Sequence, residues 1–244
     1  MRIALLSDIH SNLTALDAVL KDAAGRDVAA FWHTGDVVGY GPDPDAVIAR
    51  LRELPASGVM GNHDAAAVGL ISIEEFNPLA AIANEWTARV LAAPGRDYLL
   101  ALPRTRQDGV FTLLHGSLRD PLWEYLSTRE AFDAHFALQK TPVSVCGHTH
   151  IPMLVQREDD ARLHVTIGED ALVVSFAGRA LACINPGGLG QPRDGDPRAS
   201  YAIVDTGAST VAFHRVAYDI AAVQARMRAG GLPEPLAARL AAGR

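Results

Sequence analysis

Ile3-Ala4-Leu5-Leu6-Ser7-Asp8-Ile9-His10 opens the chain with a short apolar run that breaks at once into an acid and a histidine two residues apart. Aliphatic residues in succession, without polar alternation, read as a strand buried on both faces. Such a strand delivers Asp8 and His10 at its carboxyl end. The plan recurs downstream. Val28 to Trp32 reads as a strand closed by Gly35-Asp36, Val59-Met60 as a short strand ending at Gly61-Asn62-His63-Asp64, and Val110 to Leu114 as a strand ending at His115-Gly116. Gly147-His148-Thr149-His150 forms a fifth cluster. Parallel strands place their carboxyl ends on one side, so Asp8, Asp36 and Asn62 are expected at one edge, where open α/β sheets bind ligands.

Between these strands the pattern is helical. Asn12 is placed to cap a helix with Leu13, Leu16, Val19 and Leu20 on one face, and Asp43-Pro44 to start another with Val47, Ile48, Leu51 and Leu54. Ala65 to Leu102 reads as helical, with Ile82, Trp86, Val90 and Leu91 at helical spacing and Trp86 facing the core. A helix is expected from Thr128 to Leu138. Beyond His150, strand signals dominate: Met153 to Val155, Leu163 to Ile167, Leu172 to Phe176, Leu181 to Ile184, Tyr201 to Val204 and Val211 to Val216. Two short helices are expected after Tyr218. With no linker, low-complexity tract or repeat, this reads as one domain over residues 1–244.

The chain's 244 residues are 49% hydrophobic and 20% charged, an ordinary globular composition. The net charge of -6 argues against a broad nucleic-acid-binding surface, which needs clustered Lys and Arg. Neither a signal-peptide core nor a stretch long enough to span a membrane is present in these residues, so a cytoplasmic protein without a membrane partner is expected. Cys146 and Cys183 lie in apolar runs and read as buried free thiols. His33, His135, His164 and His214 read as strand or surface histidines outside any site.

Taken in order from Asp8 to His150, the five clusters resemble those of the calcineurin-like metallophosphoesterases, and are most similar to the small bacterial and archaeal phosphodiesterase branch. Each motif alone is common; the specificity lies in the series and its strand contexts. The resemblance implies an α/β fold, a four-layer α/β/β/α sandwich of two packed mixed sheets (the metallophosphoesterase fold), with metals at the sheet edges. The helical stretch at about 65–102 would cover it. By the same resemblance, Asp8, His10 and His150 would hold one metal and Asn62, His115 and His148 a second, with Asp36 as the shared carboxylate. His63 would contact the phosphoryl group and protonate the leaving oxygen. The imidazole, carboxylate and amide donors suit two divalent transition-metal ions, manganese first, with iron, zinc, nickel or cobalt as alternatives.

The implied activity is hydrolysis of a small or nucleotide-like phosphate ester by a hydroxide bridging two metal ions. Phosphomonoesterase, dinucleoside polyphosphate hydrolase and a non-catalytic scaffold on the same fold stand as alternatives. Protein Ser/Thr phosphatases of the superfamily read Gly-Asp-x-x-Asp-Arg-Gly after the second strand; here the run is Gly35-Asp36-Val37-Val38-Gly39-Tyr40-Gly41. The carboxylate that holds the acid histidine and the phosphate-gripping arginine are therefore both missing. Arg119, Arg193 and Arg198 are candidate replacements for the arginine, the last two in the Gly/Pro-rich stretch after Asn185-Pro186-Gly187.

Overall fold

The N-terminal apolar run becomes β1 (Arg2–Leu6), followed by α1 (Leu13–Ala23), β2 (Val28–His33), α2 (Pro44–Arg52) and β3 (Ala56–Gly58) in a computed structural model that describes residues 1–244. Asn12 Oδ1 accepts the Ala15 N–H at 3.1 Å, capping α1, and Pro44 supplies the first residue of α2. The chain continues through α3 (Asn62–Ala67), a 3-10 turn at Ile73–Glu75, α4 (Pro78–Val90) and α5 (Ala93–Leu100). Next come β4 (Thr105–Asp108), β5 (Phe111–Leu114), α6 (Arg129–Leu138), β6 (Val143–Val145), β7 (Met153–Arg157), β8 (Leu163–Ile167), β9 (Val173–Ser175) and β10 (Leu181–Asn185). β11 (Ala199–Asp205), β12 (Thr210–Val216), α7 (Ile220–Ala229) and α8 (Glu234–Leu240) complete it.

Two six-stranded mixed sheets result, ordered β3-β2-β1-β11-β12-β9 and β4-β5-β6-β10-β7-β8. In the first, β1, β2 and β3 run parallel; in the second, β5 and β10 both run parallel to β6. Alternation along β1 explains the layering. Ile3 and Leu5 join Trp32, Phe111, Leu113, Val145 and Ile184 between the sheets, whereas Ala4 and Leu6 pack under α1 and α2 with Leu16, Val47 and Leu51. On the far side, Phe132 and Phe136 of α6 pack on Leu114, Val155 and Cys183. This is the four-layer α/β/β/α arrangement. A separate apolar cluster joins α4, α7 and α8 through Ala83, Val223, Met227 and Leu236, and it includes Tyr40.

Several expectations need correction. The third parallel strand is Ala56–Gly58, not Val59-Met60: the His33 ring occupies the space a side chain at position 58 would need, so the pairing segment is small and polar. β4 carries no apolar pattern because it is an exposed edge strand paired on one side only. In α4, Ile82 and Val90 point outward, and the buried stripe is Ala80, Ala83, Asn84 and Thr87. Trp86 does face the core as expected: partly buried, it packs against the α4–α7–α8 cluster, its indole N–H donating to Gly230 O at 2.7 Å. His135 and His214 are not surface residues. His135 is fully buried and hydrogen-bonds Ser144 Oγ at 2.8 Å, while the buried His214 ring lies tilted against Tyr201 with centroids 5.1 Å apart. No helix is long and apolar enough to cross a membrane.

Candidate metal centre

Five strand ends meet at one edge of the sandwich. Asp8 and His10 follow β1, Asp36 follows β2, Asn62 opens α3 just beyond β3, His115 follows β5, and His148 and His150 follow β6. All seven side chains are buried. Asp8, His10, Asp36, His148 and His150 adopt positive φ, between 48° and 65°, a region that L-residues occupy only at a cost. Neighbouring segments hold them there. His10 N donates to Asp36 O at 2.9 Å, Gly190 N to Asp8 O at 2.9 Å, and Asn185 Nδ2 to Gly147 O at 2.7 Å.

The two sheets touch directly beneath the site. Thr34 Oγ1 donates to Ser7 Oγ at 2.7 Å, and Ser7 Oγ donates to Asp8 Oδ2 at 2.6 Å. Gly147, from the opposite sheet, lies so close that a Cβ there would collide with Ser7 Oγ. Only a hydrogen fits between the layers at this point.

The imidazoles are oriented from behind. His10 Nδ1–H donates to Val38 O at 3.1 Å, His115 Nδ1–H to Thr34 O at 2.8 Å, His148 Nε2–H to Trp123 O at 3.2 Å, and His150 Nδ1–H to Gln191 O. A carbonyl only accepts, so each of these contacts fixes a proton on the outer nitrogen and turns the other nitrogen inward. His10 Nε2 then faces His150 Nε2 at 3.2 Å, and His115 Nε2 faces His148 Nδ1 at 3.0 Å. Asp8 Oδ1 is buried without a hydrogen-bond partner. Paired acceptors and an orphaned carboxylate oxygen are what a divalent cation satisfies, so the donor set fits metal binding. Asp8, His10 and His150 converge as one group and Asp36, His115 and His148 as another, the donor atoms of each within 4.8 Å of one another. Asp36 Oδ2 lies 3.7 Å from His10 Nε2 and 3.4 Å from His115 Nε2, so it reaches both groups. Asn62 Oδ1 is 3.1 Å from His115 Nε2.

Burial lowers His148 to about 3, the nearby His115 adding to the effect. At His115 burial acts downward too, but the Asp36 and Asp8 carboxylates and the Thr34 carbonyl together outweigh it and lift the group to about 9. Without a cation, a proton on His115 therefore balances part of the carboxylate charge, and a metal ion would displace it.

His63 stands beside this centre. Its backbone N–H donates to Asp36 Oδ1 at 2.9 Å, and its Nδ1–H donates to Asn84 Oδ1 of α4 at 2.9 Å. Asn84 thus fills the place of the missing carboxylate, with a neutral acceptor in place of a charged one. Sequence reading missed it because an Asn inside an apolar helical stripe carries no motif. Gly39, at φ 91°, passes so near that a Cβ would come within 2.6 Å of His63 Nδ1. Burial brings His63 down to about 4, against the pull of Asp36. Asp64 caps instead of ligating: its oxygens accept the Val38 and Gly61 N–H groups, both at 3.0 Å.

A cavity of about 180 Å³ opens onto Asp36, Asn62, His63, His148 and His150, walled by Tyr40, Phe76, Trp123, Tyr125 and Arg193. Of the three candidate arginines only Arg193 reaches it. Arg119 is paired with Glu124, and Arg198 with Asp196 and Asp170. Cys146 lies 3.5 Å from Cys183 in the outer core and takes no part. A larger hollow of about 410 Å³ around Arg2, Arg26 and His214 lacks any ligand group of the kind gathered here.

Comparison with known proteins agrees with this geometry. A family model described as the calcineurin-like phosphoesterase superfamily domain matches residues 1–209. The uncharacterized protein MJ0912 of Methanocaldococcus jannaschii is 35% identical over 250 residues, covering 99% of this chain and 98% of its own length. The crystal structure of a metallophosphoesterase from Sphaerobacter thermophilus is 46% identical and superposes with a TM-score of 0.90, covering 100% of this chain and 99% of that one. The hypothetical protein PH1004 from Pyrococcus horikoshii OT3, at 19% identity, has a TM-score of 0.82 over 100% and 98% of the two chains, a likeness of fold.

Proposed function

The chain belongs to the calcineurin-like phosphoesterase superfamily, and from that premise we propose that it is a binuclear metal-dependent phosphodiesterase acting on a small or nucleotide-like phosphate ester. The observation that carries this reading is the position of the Asp36 carboxylate between the two buried donor groups. One divalent ion is assigned to Asp8, His10 and His150, the other to Asn62, His115 and His148, with Asp36 shared. Manganese is the first candidate among ions that accept mixed nitrogen and oxygen donors. When bound, such ions would offset the charge of the ester and lower the pKa of a bound water molecule.

The remaining work falls to the chain's own residues. His63 is held at Nδ1 by Asn84, so Nε2 is the nitrogen left for substrate. In the free protein this ring is uncharged at neutral pH, because burial holds it near 4. Nε2 is the atom assigned to take a proton from solvent as the substrate enters and to give it to the leaving oxygen. Phe76 packs on His63, with centroids 4.9 Å apart, and on Trp123, and together they exclude water from one side of the cavity. The helical segment at 65–102 is assigned the role of cover, within one functional domain over 1–244.

The test is to strip the protein of metal, restore manganese, and compare bis-p-nitrophenyl phosphate with p-nitrophenyl phosphate, using Asn62→Ala as control. Preference for the diester, lost in the variant, is expected. Preference for the monoester would move the assignment to a phosphatase. Turnover of neither, with no metal retained, would leave a scaffold.

A further inference from the structure

Tyr40 sits at φ 56° between two glycines, its ring pressed against His10 and His63 with centroids 4.6 and 4.4 Å away. Two guanidinium groups share that ring: Arg239 Cζ lies 4.6 Å from its centroid and Arg193 Cζ 5.9 Å. Arg198, Arg215 and Arg226 are each paired with an aspartate, whereas neither of these two arginines has a carboxylate partner. Arg193 Nε and the Nε and Nη2 atoms of Arg239 are buried without any hydrogen-bond acceptor. Burial lowers Arg239 against the pull of Tyr40, and the adjacent Arg193 charge pushes the same way.

Two like charges set side by side, partly desolvated and without a counter-ion, are costly to maintain. The electron-rich face of Tyr40 offsets part of that cost. An anion offsets the rest, and Arg193 is placed to meet one, since it lines the metal-centre cavity and its charge is felt at His10, His63, His150 and Tyr125. Glu75 lines the same cavity but is exposed and unpaired with either arginine. The scissile phosphoryl group belongs over the donor groups around Asp36. The two ions assigned around Asp36 would already offset the charge of the scissile phosphoryl group, which leaves the Arg193 guanidinium for a second anion on the same molecule.

We infer that Arg193 receives a second phosphate group of the substrate, with Tyr40 and Arg239 holding its guanidinium in place. The inference rests on the phosphodiesterase reading above, and it narrows the substrate class to phosphodiesters that carry a further phosphate. A planar guanidinium binds phosphate oxygens in pairs, which makes the contact selective as well as attractive.

Two measurements test it. Thymidine 5′-(p-nitrophenyl phosphate) and its 3′-phosphorylated form differ only in the second phosphate. Arg193→Ala should lower kcat/KM for the 3′-phosphorylated ester at least about tenfold more than for its parent, mainly through KM, with Arg193→Lys recovering part of the difference and Arg239→Ala losing less. Equal losses on both esters would overturn the inference, because Arg193 would then be gripping the scissile phosphoryl group. Calorimetry on the manganese-loaded protein supplies a readout independent of turnover. Thymidine 3′,5′-bisphosphate should bind about tenfold or more tightly than thymidine 5′-phosphate, and Arg193→Ala should erase that preference. Absence of the preference in the wild type overturns the subsite. Its presence in a protein that hydrolyses neither ester keeps the subsite and sinks the hydrolase reading instead.

Discussion

The loops after β1, β2 and β6 carry Asp8, His10, Asp36, His148 and His150 at φ between 48° and 65°, whereas Asn62 begins α3 and His115 follows β5 on ordinary backbone. A non-glycine residue held in the left-handed region costs of order 1–3 kcal/mol. Five such residues persist in one small region only because adjoining segments over-determine them. Gly190, Asn185 and the paired β1 and β2 loops do this for the strained set. Asn62 and His115 need no comparable clamp: a helix start and a strand end deliver them directly. Both anionic donors, and the imidazoles of the group around Asp8, therefore sit on backbone that the rest of the fold must hold in place, and the donor group around His115 combines both kinds of support.

Substitutions break or sharpen this contrast. Asp36→Asn strikes the strained residue common to both donor groups, and should lower metal stoichiometry and turnover together, turnover by about a thousandfold or more. If metal content is unchanged by atomic spectroscopy, Asp36 does not bridge. His63→Ala should retain both ions and lose about 10²- to 10⁴-fold in turnover. Loss of an ion in this variant would make His63 a ligand.

His33 extends the contrast to a strand residue whose stored cost is burial. Burial pushes its imidazole down to about 4, with Nε2 bonded to the Tyr98 hydroxyl at 3.0 Å. An unfolded chain takes this proton near 6.5, so the folded state loses ground as pH falls from about 6.5 towards 4, and is unaffected above that window. The difference in stability between wild type and His33→Gln should therefore shift by about 2 kcal/mol between pH 7 and pH 5, measured by urea unfolding. A pH-independent difference would show that His33 charges freely in the fold. Smallest in stability is Asn185→Ala, which removes a clamp from the His148–His150 loop. It should cost about 1–2 kcal/mol and weaken metal binding about 10- to 100-fold, with the strands intact. Unchanged metal affinity would mean that the loop keeps its φ values unaided.

Much of the centre could be read from residues 3 to 150, because buried parallel strands announce themselves as apolar runs and every donor except Asn62 follows such a strand within a few positions. Asn12 and Pro44 marked their helices for local reasons, a side-chain cap and a fixed φ. Where tertiary contact decides, the signal fails. β3 is small because of the His33 ring, Asn84 has its role only by facing His63 of α3 from helix α4, and Arg239 meets Tyr40 from nearly the other end of the chain. His135 looked like a surface histidine because its partners, Ser144 and the Leu118 N–H, lie on a strand and a loop outside its own helix.

Gly147 works as the stop of a caliper. One jaw is the β1–β2 edge with Asp8 and Asp36, the other is the β6 end with His148 and His150, and Ser7 Oγ rests against the glycine between them. A methyl group there, as in Gly147→Ala, would open the jaws without altering a single donor. The separation of the two donor groups is in this sense a dimension of the hydrophobic core, and repacking at Trp32 or Phe111, deep between the sheets, would be felt at the donor atoms before it was felt as a loss of fold.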